Sequence, residues 1–203
     1  IYMQKDTLRY RIGVATYSVG VAYNNRKTSL QFIQQEMNNI TALSNETCQL
    51  GIQSRNMVFY IAKKDSPQPI RLMSSVGKQL PLYCTGLGRA LLAYKSEEEI
   101  RSLFPEVLTA YTPHTIATIN DLLKELELTR QRGYAVEHEE TNLMVNCIAV
   151  SLDYNNAPIA ALSISIPTFR ISESKEKEAV QILWEAKQRI ETHFKMYGVD
   201  FGN

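Results

Sequence analysis

Cysteine is scarce in this chain: three residues among 203, Cys48, Cys84 and Cys147, widely spaced. An odd, scattered set is a poor disulfide framework and fits a reducing compartment, so we expect the cytoplasm. No apolar run approaches the roughly 20 residues of a membrane span, and no signal-peptide pattern is visible, so a membrane partner is not expected. Charge of one sign is also lacking. Twenty-two Lys and Arg against 21 Asp and Glu leave a formal net charge of +1, which marks neither a nucleic-acid surface nor an affinity for anionic lipid. Internal repeats, low-complexity tracts and evident linkers are missing. So are the Gly-x-Ser-x-Gly, phosphate-loop and Cys-x-x-Cys patterns of common catalysts. What is present is ordinary: 44% hydrophobic and 21% charged residues, enough to bury a core, in a length that suits one domain with or without extra pieces. The chain starts at Ile1 rather than Met, and we expect a fragment or a processed product.

The spacing predicts one helix, several strands, two or three helices, more strands and a last helix. Thr28 or Ser29 can cap a helix whose Leu30, Ile33, Met37 and Ile40 recur at three- and four-residue steps, ending near Ser44 and Asn45. Strands are expected at 47–53 and 57–62, split by Ser54-Arg55-Asn56, and at 70–74; residues 77–81 read as a turn. Thr85 opens a helix that runs through Ala90-Leu91-Leu92-Ala93. Ser96-x-x-Glu99 has the form of a capping box. Thr118-x-x-Asp121 starts a helix through Leu122, Leu123 and Leu126, stopped by Gly133. A strand at 134–139 precedes a hairpin with Asp153-Tyr154-Asn155-Asn156 as its turn, and a long C-terminal helix carries Val180, Leu183, Ile190 and Phe194 on one stripe. Strands that come in hairpins argue for an α+β domain, an antiparallel sheet of about six strands flanked by helices.

The last hairpin sorts its side chains by size. Ile148, Val150 and Leu152 alternate with Cys147, Ala149 and Ser151, while Ala160, Leu162, Ile164 and Ile166 alternate with Ile159, Ala161, Ser163 and Ser165. If the sets match across the pair, one face is core. The other carries Cys147, Ala149, Ala161, Ser163 and Ser165, small side chains that leave room above the sheet and hydroxyls that can bond into it. Solvent or a tightly packed helix would also fit such a face. The helix start Thr85-Gly86-Leu87-Gly88 offers free backbone N–H groups that favour an anion, and glycines that permit close approach. Together the two features are what a small-carboxylate site needs.

The stretch Glu137-His138-Glu139-Glu140 before Cys147 has the ingredients of a thiol enzyme or a metal site. Alternation turns His138 away from the face that Glu137 shares with Glu139, which leaves Cys147 without an evident base. Cys84, just before the helix start, is either a thiol of lowered pKa or a small buried residue. Cysteines and histidines are too scattered for zinc spacing. The acidic run is expected to be mostly solvated, with one member turned inward.

Several segments in order, YRIGVATYSVG (10–20), GKQLPLYCTGLGRALLA (77–93), TPHTI (112–116), GYAVEHEETNLMVNCIAV (133–150) and ALSISIP (161–167), resemble the effector-binding domain of the IclR family of bacterial transcription regulators. The resemblance implies a GAF-like domain over residues 21–203 that binds a small metabolite, preceded at 1–20 by the end of a winged helix-turn-helix. It implies that Gly86 and Leu87, after Thr85, give backbone donors to the effector's carboxylate, that Cys147, Ser163 and Ser165 make polar contacts, that Glu137 faces the cavity, and that Leu72 and Leu80 form an apolar wall. The expected ligand is a 2-oxo or hydroxy acid, bound without turnover, cofactor or metal. The expected assembly is a homodimer or homotetramer that meets DNA only through the winged helix domain. The stand-alone alternative is a GAF-like thiol-dependent enzyme. Where the family has Asp, His, Lys and Gly, this chain has Glu137, Tyr83, Arg89 and Val145.

Overall fold

In the computed structural model the described residues are 2–4, 9–11, 14–16, 18, 29–69 and 75–199. Two short strands, β1 (Tyr2–Gln4) and β2 (Arg9–Arg11), pair antiparallel with each other. The main body follows as α1 (Ser29–Ser44), β3 (Thr47–Ser54), β4 (Met57–Lys64), β5 (Gln79–Pro81), α2 (Gly86–Leu92), α3 (Glu97–Leu103), α4 (Ile119–Arg132), β6 (Ala135–His138), β7 (Val145–Tyr154), β8 (Ala157–Pro167) and α5 (Glu173–Tyr197).

The expected α+β architecture is present. Six strands form one antiparallel sheet in the order β5-β4-β3-β8-β7-β6, so two hairpins meet where β3 pairs with β8. The side chains of the β7–β8 ladder match as their sizes demand: Ile148 faces Ile164 and Val150 faces Leu162, while Cys147 faces Ser165 and Ala149 faces Ser163. The bulky set packs under α1 and α5, with Leu30, Ile33, Met37 and Ile40 from the first and Leu183, Ile190 and Phe194 from the second. Val180, expected on that stripe, lies at its edge, and Ala179, Ile182 and Ala186 are buried in its place. A 25-residue helix on a twisted sheet buries a wider arc than one stripe.

The opposite face is covered by α2 and α4 through Leu87, Leu91, Leu122 and Leu126. The caps read from the sequence are formed. Thr85, Ser96 and Thr118 accept from the backbone N–H three residues on, and Glu99 completes the capping box. The 155–156 turn of the last hairpin holds both asparagines at positive φ, the mirror-image turn that suits twisted strands, and Asp153 and Tyr154 belong to β7 instead. Residues 79–81, read as part of a turn, form the edge strand β5, because a proline at its end is tolerated there. The strand expected at 70–74 lies outside the described residues.

One position fixes how closely α2 sits on the turn before it. A Cβ on Gly88 would come within 2.1 Å of the Leu82 carbonyl oxygen and 2.4 Å of its Cα, both backbone atoms that cannot rotate away. Gly88→Ala therefore has to lift the helix. We expect it to lower stability by about 3 kcal/mol, the upper part of the overpacking range, read as a lower urea midpoint at unchanged slope. An unshifted midpoint would contradict this packing.

Candidate functional site

The floor of the site is the face of β7, β8 and β3 that carries small side chains. Across the strands Thr47, Ser165, Cys147 and Glu137 form one row, and Gln49, Ser163, Ala149 and Ala135 the next. The first row is wired. Cys147 Sγ lies 3.0 Å from Ser165 Oγ, which donates to Gln49 Oε1 at 3.0 Å. In the second row Ser163, 1% exposed, keeps its Oγ without a hydrogen-bond partner among the described residues. A buried hydroxyl with no partner is uncommon and unfavourable.

The roof is the first turn of α2. Thr85 caps it, accepting from Gly88 N at 3.1 Å. The backbone N–H groups of Gly86 and Leu87 make no hydrogen bond among the described residues, as the first turn of a helix leaves them. Gly86 sits directly on the floor: a Cβ there would stand 3.2 Å from Cys147 Cβ and 3.5 Å from Ala149 Cβ. Leu87 is buried against Gly51, on the same sheet face. Leu80, on β5, packs partly buried into the cluster that contains Leu87 and Leu82. Leu72 lies outside the described residues.

Glu137 is 1% exposed and faces Cys147 across the ladder. Burial pushes its carboxyl up to about 7, against the pull of the Glu140 and Thr141 backbone N–H groups, both of which donate to Oε1. His138 points outward and contacts Asn146 Oδ1 at 2.9 Å, as alternation required.

The acidic run is not mostly solvated, because Glu140 is buried as well. It forms an ion pair with Arg89, itself 2% exposed, and accepts from Ile116 N at 3.0 Å. Arg89 spends its other donors on the carbonyls of Tyr83 and Val136, each at 3.0 Å. Thr115 and Thr112 donate to the Glu140 and Glu139 carbonyls, both at 2.6 Å, so the 112–116 loop is clamped to the 139–144 loop. The reach-back of Glu140 had no sequence signal beyond an unpaired arginine on a helix otherwise all apolar.

Neither cysteine near the site has the surroundings of an activated thiol. Burial pushes Cys84 up to about 12, and desolvation with the Glu137 carboxyl beside it holds Cys147 well above its ordinary value. Among the described residues no three His, Cys, Asp or Glu side chains are placed to hold a metal ion. No helix there is long and apolar enough to cross a membrane. A cavity of about 210 Å³ opens at the other end of α2, beside Ala93, Tyr94 and Ser151. Its Tyr94 hydroxyl is already bonded to Ser151 and Asp153.

Residues 22–192 match the family described as bacterial transcriptional regulator IclR, C-terminal. The HTH-type transcriptional regulator KdgR of Dickeya chrysanthemi is 32% identical over 192 residues, which are 94% of this chain and 63% of that protein, just under two thirds of its length. The HTH-type transcriptional repressor AllR of Escherichia coli K12 is 31% identical over 194 residues, covering 95% of this chain and 72% of AllR. The crystal structure of the C-terminal domain of E. coli KdgR superimposes with a TM-score of 0.73 at 32% identity, over 81% of this chain and 96% of that one. This chain belongs to the IclR family of bacterial transcriptional regulators, of which it carries the C-terminal domain.

Proposed function

We propose that the floor under α2 is the effector site of a cytoplasmic transcription regulator, and that it binds a small organic acid of the 2-oxo or hydroxy type without transforming it. The observation that carries this reading is the Ser163 hydroxyl, buried and unpartnered beside a polar row and beneath two unpaired backbone N–H groups. In this reading the Gly86 and Leu87 N–H groups, held by the Thr85 cap, take the carboxylate. Cys147, Ser163 and Ser165 bond the rest, Glu137 orients a hydroxyl, and Leu80 with Leu72 closes the apolar side. Residues 1–20 end a winged helix domain that alone touches DNA, and 21–203 sense the effector. The parent works as a homodimer or homotetramer, so that paired readers match repeated half-sites. Effector and operator binding are coupled by about 1–3 kcal/mol, because the acid binds one arrangement of the parent better than another.

Titration calorimetry of the 203-residue chain against propionate, lactate and pyruvate tests this. Binding of at least one acid is expected, weakened about tenfold or more in Ser163→Ala plus Ser165→Ala, the loss of one to two hydrogen bonds. Unchanged affinity in the double variant removes the assignment. Ser163→Ala alone has a second signature. Deleting an unsatisfied buried hydroxyl stabilises the empty protein by about 1 kcal/mol, raising its melting temperature by about 2–4 °C, while the same change weakens the acid. A purely structural serine would not give that pair of opposite effects.

Glu137 sets a pH dependence. Its folded value of about 7 lies above the ordinary 4.5, so the folded chain keeps the proton while the unfolded chain loses it. Stability from this group is full below 4.5 and declines as pH rises to about 7. An acid anion meets a neutral carboxyl below that point and a charged one above it, so its affinity falls as pH passes 7. Thermal melts and calorimetry from pH 5 to 8.5 on Glu137→Gln should show both slopes flattened; slopes that persist in the variant belong to another group.

A further inference from the structure

The hydrogen bonds of the polar row run in one direction, and Gln49 sets it. Gln49 is 2% exposed and stands opposite Ser163 in the β3–β8 ladder. Its neighbours Cys48 and Leu50 pack in the core under α1 and α5, so alternation turns Gln49 to the face under α2. From there the side chain reaches diagonally across β8, where Gln49 Oε1 lies 3.0 Å from Ser165 Oγ.

The chemistry of these groups leaves one arrangement of hydrogens. An amide oxygen can only accept, so Ser165 donates to Gln49. A serine hydroxyl has a single hydrogen, so at the 3.0 Å contact between Cys147 Sγ and Ser165 Oγ the thiol donates. The row therefore runs from Cys147 to Ser165 to Gln49, donor to acceptor at each step. Ser165 has no hydrogen left for a ligand; it keeps a lone pair and meets a ligand as an acceptor. Ser163 is its opposite. Its Oγ is buried without a partner among the described residues, so its hydrogen is committed to none of them. One donor and one acceptor thus stand on the same face of β8, and Gln49 is what makes them different.

The register places both hydroxyls beside α2. The Gly86 backbone rests on Cys147 and Ala149, the cross-strand partners of Ser165 and Ser163. The two serines are therefore one strand spacing from that contact, roughly 4.8 Å. An acid with its carboxylate at the Gly86 and Leu87 N–H groups brings the oxygen on its next carbon over this pair. We propose that Gln49 makes the site select a 2-hydroxy acid over the matching 2-oxo acid. This rests on the face under α2 being an acid site. A hydroxyl accepts from Ser163 and donates to Ser165, pairing both. A carbonyl accepts from Ser163, has no hydrogen for Ser165 and faces its lone pair instead. A site built to pair a hydroxyl discriminates against the analogue that lacks it. Gln49 is a positioning residue here, acting through the one hydrogen it takes from Ser165.

Titration calorimetry with pyruvate and with each enantiomer of lactate, on the 203-residue chain and two variants, tests this. In the wild type the better lactate enantiomer should bind about fivefold or more tighter than pyruvate, the worth of one hydrogen bond. Gln49→Met removes the acceptor and returns the Ser165 hydrogen to the site, so pyruvate should gain and the preference should vanish or invert. Ser165→Ala should weaken lactate about fivefold and leave pyruvate no weaker; its pyruvate binding also shows that this variant is folded. A glutamine with only a structural role would, when replaced, weaken both acids alike. A wild type that favours pyruvate or does not discriminate, a lactate preference retained in Gln49→Met, or equal losses of both acids in either variant overturns the role of Gln49 and leaves the acid site standing. Should Gln49→Met fail to fold, the wild-type ratio and Ser165→Ala still decide. If neither acid binds the wild type, the acid-site reading fails and this inference falls with it.

Discussion

The structure depends on the register of one antiparallel pair. With Ile148 opposite Ile164 and Cys147 opposite Ser165, the bulky Ile148, Val150, Leu152, Leu162, Ile164 and Ile166 fall on one face and the small Cys147, Ala149, Ala161, Ser163 and Ser165 on the other. A slip of a single residue would exchange the faces, putting isoleucines under α2 and serines into the main core. Two features guard against it: the tight asparagine turn that joins the strands, and a core of Leu162, Ile164 and Ile166 that has no access to water on the α1 and α5 side. The proposed site is thus a by-product of core packing. Residues too small to build a core are collected where the first turn of α2 can approach the sheet closely.

The helix that covers them is held by a buried charge. Arg89 reaches out of α2 to Glu140 and to the carbonyls of Tyr83 and Val136, so α2, β6 and the turn before α2 share one guanidinium. Desolvating both ions is costly, and an apolar pair of equal volume would often be as stable. Loss of either partner is another matter, leaving a bare buried charge at a cost of about 3–5 kcal/mol. What the pair supplies is direction. Its planar fork fixes the angle of α2, and Glu140 also accepts from Ile116, tying the 112–116 loop to the same point. Anything that shifts α2 against the sheet has to move these loops with it, which gives the proposed effector a mechanical route to the surface.

Legibility followed the range of the interaction. Caps and turns are decided within four residues, and Thr85, Ser96, Thr118 and Gly133 were readable with their partners. Alternation along 147–152 and 159–166 likewise showed the two faces, because β-strand periodicity is local. What escaped was set by tertiary contacts. Glu140 reads as one acid in a run of acids, and only Arg89, 51 residues earlier, explains its burial. Tyr60 reads as one more aromatic on a strand, since the bulge beside it is visible only once β3 supplies the register. Val180 reads as part of a stripe whose width depends on what the sheet presents to the helix.

One buried hydroxyl bears on how the proposed site discriminates between ligands. Ser163 is a hydroxyl taken out of water and given no partner among the described residues, a deficit that alanine would avoid. Such groups weaken the empty domain, so a ligand that pairs them recovers the deficit as binding energy, and one that cannot must leave it in place. In the proposed site the discrimination then comes from the protein's own unsatisfied hydroxyl rather than from extra contacts to the ligand. Glu137 adds the same kind of tension in charge, since its carboxyl is buried to the point where ionisation is costly at neutral pH. The strain of both is held in place by the bulky side of the sheet, where ordinary hydrophobic burial is ample.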